Sequence, residues 1–174
     1  MFSVYIFCLR LVFFRPVFSI FLFEDWSFMP LPDIDIESLI PHRDRIKMIS
    51  KMLEITTESA VATATVSSRW PLCDGNAVSP IVLIEVVAQT GAAIDGYKRK
   101  LQRKTNGKGL LVGIKGARFT VSEIPVGTQI VASVKNSYTF EKYSVISGTV
   151  KAGEEILAEV TLQALRTNED PTKD

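Results

Sequence analysis

Ser79-Pro80-Ile81-Val82-Leu83-Ile84-Glu85-Val86-Val87-Ala88-Gln89 is the stretch on which the reading of this chain turns. Its apolar residues fall on nearly every side of a 3.6-residue period, so it predicts a buried helix rather than a surface one. Pro80 suits the first helical position, where its missing N–H costs nothing, and Ser79 suits the N-cap. The helix is expected over residues 80–103. Gly91, Ala92 and Ala93 are small enough to let a sheet approach. Lys98, Arg99, Lys100, Arg103 and Lys104 complement the negative end of its dipole, and Asn106-Gly107 is the expected stop. Within the apolar run stands one carboxylate, Glu85. An isolated carboxylate among apolar side chains costs several kcal/mol or takes up a proton. A protonated carboxyl is what general acid catalysis uses.

Around this helix the chain reads as strands. Residues 34–40 form a short helix ended by Pro41, and β structure is expected at 46–55 and 60–66, the second from the alternation Ala60-Val61-Ala62-Thr63-Ala64-Thr65-Val66. Residues 70–77, with Pro71, Asp74-Gly75 and Asn76, read as a loop. Four strands follow the helix, at 109–120, 128–136, 138–150 and 155–166, with a tight hairpin at Ala152-Gly153-Glu154. In the last strand Ile156, Ala158, Val160, Leu162 and Ala164 share one face. One apolar helix needs cover on most sides, and a curved antiparallel sheet gives it, so the fold class is α+β with one core.

With 174 residues the chain is long enough for one well-buried domain. Its 20 Lys+Arg balance 19 Asp+Glu, which leaves no global field for nucleic acid or an anionic membrane. Two cysteines, Cys8 and Cys73, and a single histidine, His42, make neither a zinc set nor a disulfide framework, and the reducing cytoplasm is the expected compartment. Residues 1–28 differ in composition, being rich in Phe, Val, Ile and Leu but broken by Arg10 and Arg15-Pro16. They are read as an apolar extension, either a start-site artefact ahead of Met29 or a membrane anchor. The domain is expected over 29–166, with a disordered polar tail at 167–174.

On these residues the chain resembles the hotdog-fold β-hydroxyacyl-acyl carrier protein dehydratases. Leu39-Ile40-Pro41-His42-Arg43 resembles that family's leucine-proline-histidine-arginine motif, and Leu83-Ile84-Glu85-Val86-Val87-Ala88-Gln89 resembles its catalytic helix, with Glu85 and Gln89 in register. The likeness spans residues 34–166. It implies a curved sheet wrapped around one long helix, and sites formed between two subunits of a homodimer or higher homo-oligomer. It further implies loss of water from a 3-hydroxyacyl thioester carried by acyl carrier protein or coenzyme A, without cofactor or metal. The family's usual histidine lies in a glycine-histidine-phenylalanine loop before the helix. The equivalent loop here, Trp70-Pro71-Leu72-Cys73-Asp74-Gly75, has none. In this the chain is similar to the dehydratase-like proteins of aryl-polyene-type gene clusters.

Within that resemblance Glu85 protonates the departing β-hydroxyl. Two residues stand as candidates for the base. His42 has the side chain suited to proton transfer near neutrality, with a structural alternative as a backbone tie at the start of the first long strand. Asp74 is a local substitute for the loop histidine, or simply the turn-former before Gly75. Cys73 reads as a small hydrophobe near the substrate rather than a nucleophile. Gln89, one turn after Glu85, orients the carboxyl or packs. The N–H groups of Ile81 and Val82 at the helix start are placed to polarise the thioester carbonyl. Lys98, Arg99, Lys100 and Arg103 form a carrier-docking face or a solvated helix end. Two other functions stay open: a hotdog thioesterase with Glu85 activating water, and a non-catalytic acyl-binding partner subunit.

Overall fold

Alternation builds the sheet. Across residues 59–65 the buried positions are Ala60, Ala62 and Ala64, every second residue. The same period turns Ile130, Ala132 and Val134 inward, and then Ala158, Val160 and Leu162. The computed structural model describes residues 34–104 and 108–167. In chain order its elements are β1 (Lys51–Ile55), β2 (Ser59–Thr65), β3 (Cys73–Asp74), β4 (Ala77–Val78), α1 (Val82–Leu101), β5 (Lys108–Phe119), β6 (Ile124–Pro125), β7 (Gln129–Phe140), β8 (Tyr143–Ala152) and β9 (Glu155–Thr167). Six strands form one antiparallel sheet in the order β1-β2-β7-β8-β9-β5, and β3-β4-β6 form a small second one. The long helix packs on the curved main sheet, so the expected α+β hotdog arrangement is the one observed.

The helix sits close to the sheet because small residues let it. A methyl at Gly91 would lie 2.9 Å from the Ile146 side chain of β8, and one at Gly148 2.7 Å from Val87. Leu83, Val86 and Val87 are fully buried between these elements, each worth roughly 1.5–3 kcal/mol of transfer free energy.

Several boundaries differ from those read in the sequence. The short helix is two single 3₁₀ turns, Ile36–Ser38, capped by Asp35, and Asp44–Ile46. The first strand therefore starts at Lys51, not Ile46. The loop at 70–77 contains the small β3–β4 hairpin. Ser79 offers its backbone carbonyl to Val82 N–H rather than a hydroxyl cap, and the α-helix proper begins at Val82. Its end comes early, at Leu101. Arg103 takes φ 53°, Arg103 N–H reaches the Lys100 carbonyl and Lys104 N–H the Arg99 carbonyl, which is the Schellman pattern without its usual glycine. The turn between β7 and β8 lies at Glu141-Lys142, because Ser137 is accommodated as a register shift between Asn136 and Tyr138. Thr167 ends β9. The expectations for residues 1–28, for Asn106-Gly107 and for the tail after Thr167 lie outside the described residues.

Gly96 has a distinct role. A methyl there would collide with the backbone carbonyl of Leu39, so the bare glycine is what lets residues 36–40 lie against α1. Backbone cannot yield as a flexible side chain does. Gly96→Ala is expected to lower stability by about 1–3 kcal/mol, read as a fall in thermal midpoint, although alanine is the better helix former.

Candidate active site

Of the candidate residues, Glu85, His42, Lys98 and Arg99 line one groove of about 1290 Å³ between α1, the 37–43 segment and strands β5, β8 and β9. Glu85 points into it. Its neighbours Val82, Leu83 and Val86 turn to the sheet, whereas the Glu85 side chain is 40% exposed, so the expectation of a buried carboxylate is corrected. A helix in an apolar sequence still has a side facing its cavity, and Glu85 occupies that side. His42 meets it there. Its Nε2 lies 3.2 Å from Glu85 Oε1. The alternative for His42, a backbone tie at a strand start, is not what is found: β1 begins nine residues later, and Nδ1 is buried without a hydrogen-bond partner among the described residues.

Gln89 organises the pair. It is fully buried, and its amide is saturated: Nε2 donates to Glu85 Oε1 at 2.8 Å and to the Ile46 carbonyl at 2.7 Å, while Oε1 accepts from Met48 N–H at 2.9 Å. These bonds satisfy backbone groups in an irregular segment and hold Glu85 by one oxygen. The segment that carries His42 is further fixed by Arg43, whose guanidinium donates to the carbonyls of Glu37, Ile40 and His42. Glu37 pairs with both Lys47 and Arg43, and the Lys47 ammonium, by hydrogen bond and by charge, holds its carboxyl below the ordinary range.

The other expected residues lie elsewhere. Cys73, Asp74, Ile81 and Val82 do not line the groove, and Asp74 is exposed on the β3–β4 hairpin. Cys73 Sγ contacts the Gly75 carbonyl at 3.6 Å. Of the basic cluster, Arg99 is only 15% exposed and pairs with Asp95, which also takes Arg166 of β9. Lys98 pairs with Glu58 at 3.3 Å, and Lys100 and Arg103 are exposed. Sequence reasoning missed the Asp95–Arg99–Arg166 link and the Gln89 bridge to Ile46 and Met48. The i,i+4 spacing of Asp95 and Arg99 was the available signal for the first. Nothing in the sequence marks the second.

Between the His42–Glu85 pair and the ionic link, the groove wall is Ala88, Gly91, Ala92, Ile146, Leu162 and Ala164. A short proton-transfer pair at the head of an apolar channel suits an acyl substrate with its reactive carbons at the pair.

Comparison with known proteins gives this geometry a family. The ApeP-like model, described as ApeP dehydratase, matches residues 34–173. The chain belongs to the ApeP-like dehydratase family. Among curated relatives, a 3-hydroxyacyl-[acyl-carrier-protein] dehydratase FabZ from Burkholderia cenocepacia is 32% identical over 135 residues, 74% of this chain and 84% of that protein. One from Ralstonia nicotianae is 26% identical, over 72% of this chain and 83% of that protein. Among solved structures, the dehydratase heterocomplex ApeI:P from Xenorhabdus doucetiae has a chain that superposes with a TM-score of 0.73 at 18% identity, over 78% of this chain and 93% of that one. That likeness is one of fold.

In this ApeP-like chain Gln89→Leu leaves the buried Met48 N–H unpaired, removes the partner of the Ile46 carbonyl and frees Glu85. A loss of about 2–4 kcal/mol is expected in chemical denaturation, well beyond the cost of an exposed polar substitution.

Proposed function

We propose that this chain removes water from a 3-hydroxyacyl thioester carried on acyl carrier protein, giving the 2-enoyl thioester. The observation that carries the reading is the contact of His42 Nε2 with Glu85 Oε1 at 3.2 Å at the head of the groove. His42 takes the proton from Cα, and Glu85, as the acid of the pair, gives a proton to the β-hydroxyl, which leaves as water. The ledger balances: one proton enters the enzyme at His42 and one leaves at Glu85, and the imidazolium returns a proton to the adjacent carboxylate. FabZ relatives whose names specify 3-hydroxyacyl-acyl carrier protein substrates support the choice of substrate. In this reading Asp74 keeps the alternative role of base and Cys73 that of a substrate neighbour, but neither lines the groove. The N–H groups of Ile81 and Val82 remain candidates for the thioester carbonyl, a role that needs the substrate to reach past the groove head. Lys100 and Arg103 offer the exposed charge for docking an acidic carrier protein, whereas the charge of Lys98 is engaged by Glu58 and that of Arg99 by Asp95. The chemistry requires neither cofactor nor metal.

The deciding assay incubates the protein with a 3-hydroxyacyl-carrier protein and follows product mass. Loss of one water is the expected result; release of the free acid would mark a thioesterase, and binding without turnover a non-catalytic subunit. Glu85→Gln and His42→Ala should each lower turnover by about 10²–10⁴-fold while leaving the thermal midpoint near that of the wild type. Asp74→Asn should leave turnover unchanged. Reversing Lys100 and Arg103 to Glu should raise KM for the carrier-bound substrate and spare a small thioester mimic.

The assembly proposed with this reading is a homodimer through the free edge of β5. Leu110, Leu111, Val112 and Ile114 of that strand are about half exposed, on both faces of an edge that no strand among the described residues pairs. Such an edge is a template for pairing with another chain. The proposed location is the cytoplasm; no helix among the described residues is long and apolar enough to cross a membrane. Light scattering should give twice the chain mass for the wild type and a shift towards monomer for Ile114→Lys. A wild-type protein that stays monomeric alone but pairs with an unlike hotdog chain would replace the homodimer with a heterocomplex.

A further inference from the structure

The groove carries charge at both ends, and only one end enters the proposed chemistry. Away from His42 and Glu85 its lining includes Lys98, Arg99, Lys142 and Arg166, with Asp95 as the carboxylate among them. Lys98 is answered by Glu58, which lies outside that lining. Asp95 divides itself between two guanidiniums: Oδ2 accepts from Arg99 Nη1, and Oδ1 from Arg166 Nη2. One carboxylate neutralises one of them, not both. Lys142 is exposed and sits beside Arg166, whose backbone N–H bonds the Lys142 carbonyl at 2.7 Å. Among the described residues four cations therefore face two carboxylates. The surplus falls on Lys142 and on Arg166, whose side chain is 36% exposed.

Ten residues of α1 separate Glu85 from Asp95, about 15 Å at 1.5 Å per residue. The wall between them is hydrocarbon, formed by Ala88, Ala92, Ile146, Leu162 and Ala164, with the Ser144 hydroxyl beside Ala164. Resting on the dehydratase reading for the position of the reacting carbons, we infer that the far end of the groove is a subsite for a carboxylate that ends the acyl chain. A dicarboxylic acyl chain is then preferred over one that ends in a methyl group. Guanidiniums suit this ligand because they offer paired donors in the plane of a carboxylate. Asp95 already holds both of them, so little ordering is left for the ligand to impose.

A carrier-bound substrate brings one other oxyanion, the phosphate of its pantetheine arm. That arm contains two amides. Laid along this wall, they would face methyl and methylene groups with hydrogen bonds unmade. A hydrocarbon chain matches the wall, so the anion that reaches Arg166 is the one at the end of the chain.

Calorimetry on the full-length protein, in the assembly it forms in solution, tests this with three ligands. They are tetradecanoyl-pantetheine, tetradecanedioyl-pantetheine, which has a carboxylate in place of the terminal methyl, and tetradecanoyl-phosphopantetheine. None has a β-hydroxyl, so no water is eliminated and binding alone is read. At low salt the dioyl ligand should bind about 10–100-fold tighter than the methyl-ended one, with the ratio falling as salt rises. Arg166→Gln should bring that ratio towards one. Lys142→Gln, at an exposed position, should lower it several-fold and serves where Arg166→Gln does not fold. Equal affinities in the wild type overturn the inference, including the case in which a partner chain turns its own carboxylate onto Arg166. A ratio that neither substitution moves overturns it as well. So does a phosphopantetheine ligand that gains the same factor and loses it in Arg166→Gln, which gives the cations to the carrier arm. Dehydration is assayed separately on the 3-hydroxy forms. A protein that removes no water yet keeps the preference loses the dehydratase reading and keeps the subsite.

Discussion

Everything at the head of the groove depends on one buried amide. Residues 36–48 contain only two single 3₁₀ turns, so most of their backbone groups have no ladder to join. Gln89 resolves this because an amide carries both a donor pair and an acceptor: it gives N–H to the Ile46 carbonyl and to Glu85, and takes N–H from Met48. A carboxylate at this position could not donate, and an aliphatic side chain could do neither. The same side chain thus fixes the irregular segment and the acid, and fixes them relative to each other. That is why His42, which has no secondary structure of its own, arrives at a defined place.

The helix divides its labour by face and by turn. Val82, Leu83, Val86, Val87 and Ala93 face the sheet and are almost fully buried. Glu85, Ala88 and Ala92 face the groove. Farther along, Asp95 accepts from Arg99 on its own helix and Arg166 at the end of β9. An exposed ion pair would contribute little, but Arg99 is mostly covered and the link spans two elements, so it sets the separation of α1 from β9 at the far end of the channel. Gly91 and Gly148 set that separation nearer the middle. Helix and sheet thus touch closely at the glycines, and beyond them the Asp95–Arg166 ion pair ties α1 to the end of β9.

The sheet was legible in the sequence wherever one face is buried, since Ala60-Val61-Ala62-Thr63-Ala64 and Ala158-Glu159-Val160-Thr161-Leu162 can satisfy burial in only one register. Turns were less so. Asn136-Ser137 has turn chemistry, yet the pairing of β7 with β8 continues past it through a shift in register, and the chain reverses at Glu141 instead. Arg103 ends the helix in a conformation that favours glycine, three residues before the Asn106-Gly107 that local chemistry pointed to. At the site, the suspicion attached to Glu85 came from its apolar neighbours. Those neighbours say how buried the helix is, and they are silent on which side faces a cavity. The partnership with His42 had no signature at all, because periodicity carries no information through an irregular segment and the contact is set by Gln89 and Gly96, neither of which advertises its partner.

In the proposed function, the pairing accounts for the absence of a histidine in the loop before the helix. What elimination needs is a base and an acid close enough to restore each other, not a base on a given loop. His42 and Glu85 share Oε1, which already accepts from Gln89, so the hydrogen-bonded oxygen is committed and Oε2 is the one left to face a substrate hydroxyl. After one turnover in the proposed sense the imidazolium and the carboxylate lie 3.2 Å apart; the imidazolium proton passes to Oε1 along that contact, and exchange through the open groove returns a proton to Oε2 before the next turnover. In the proposed mechanism the chemistry places no demand on Trp70–Gly75, whose small hairpin and buried Trp70 serve packing.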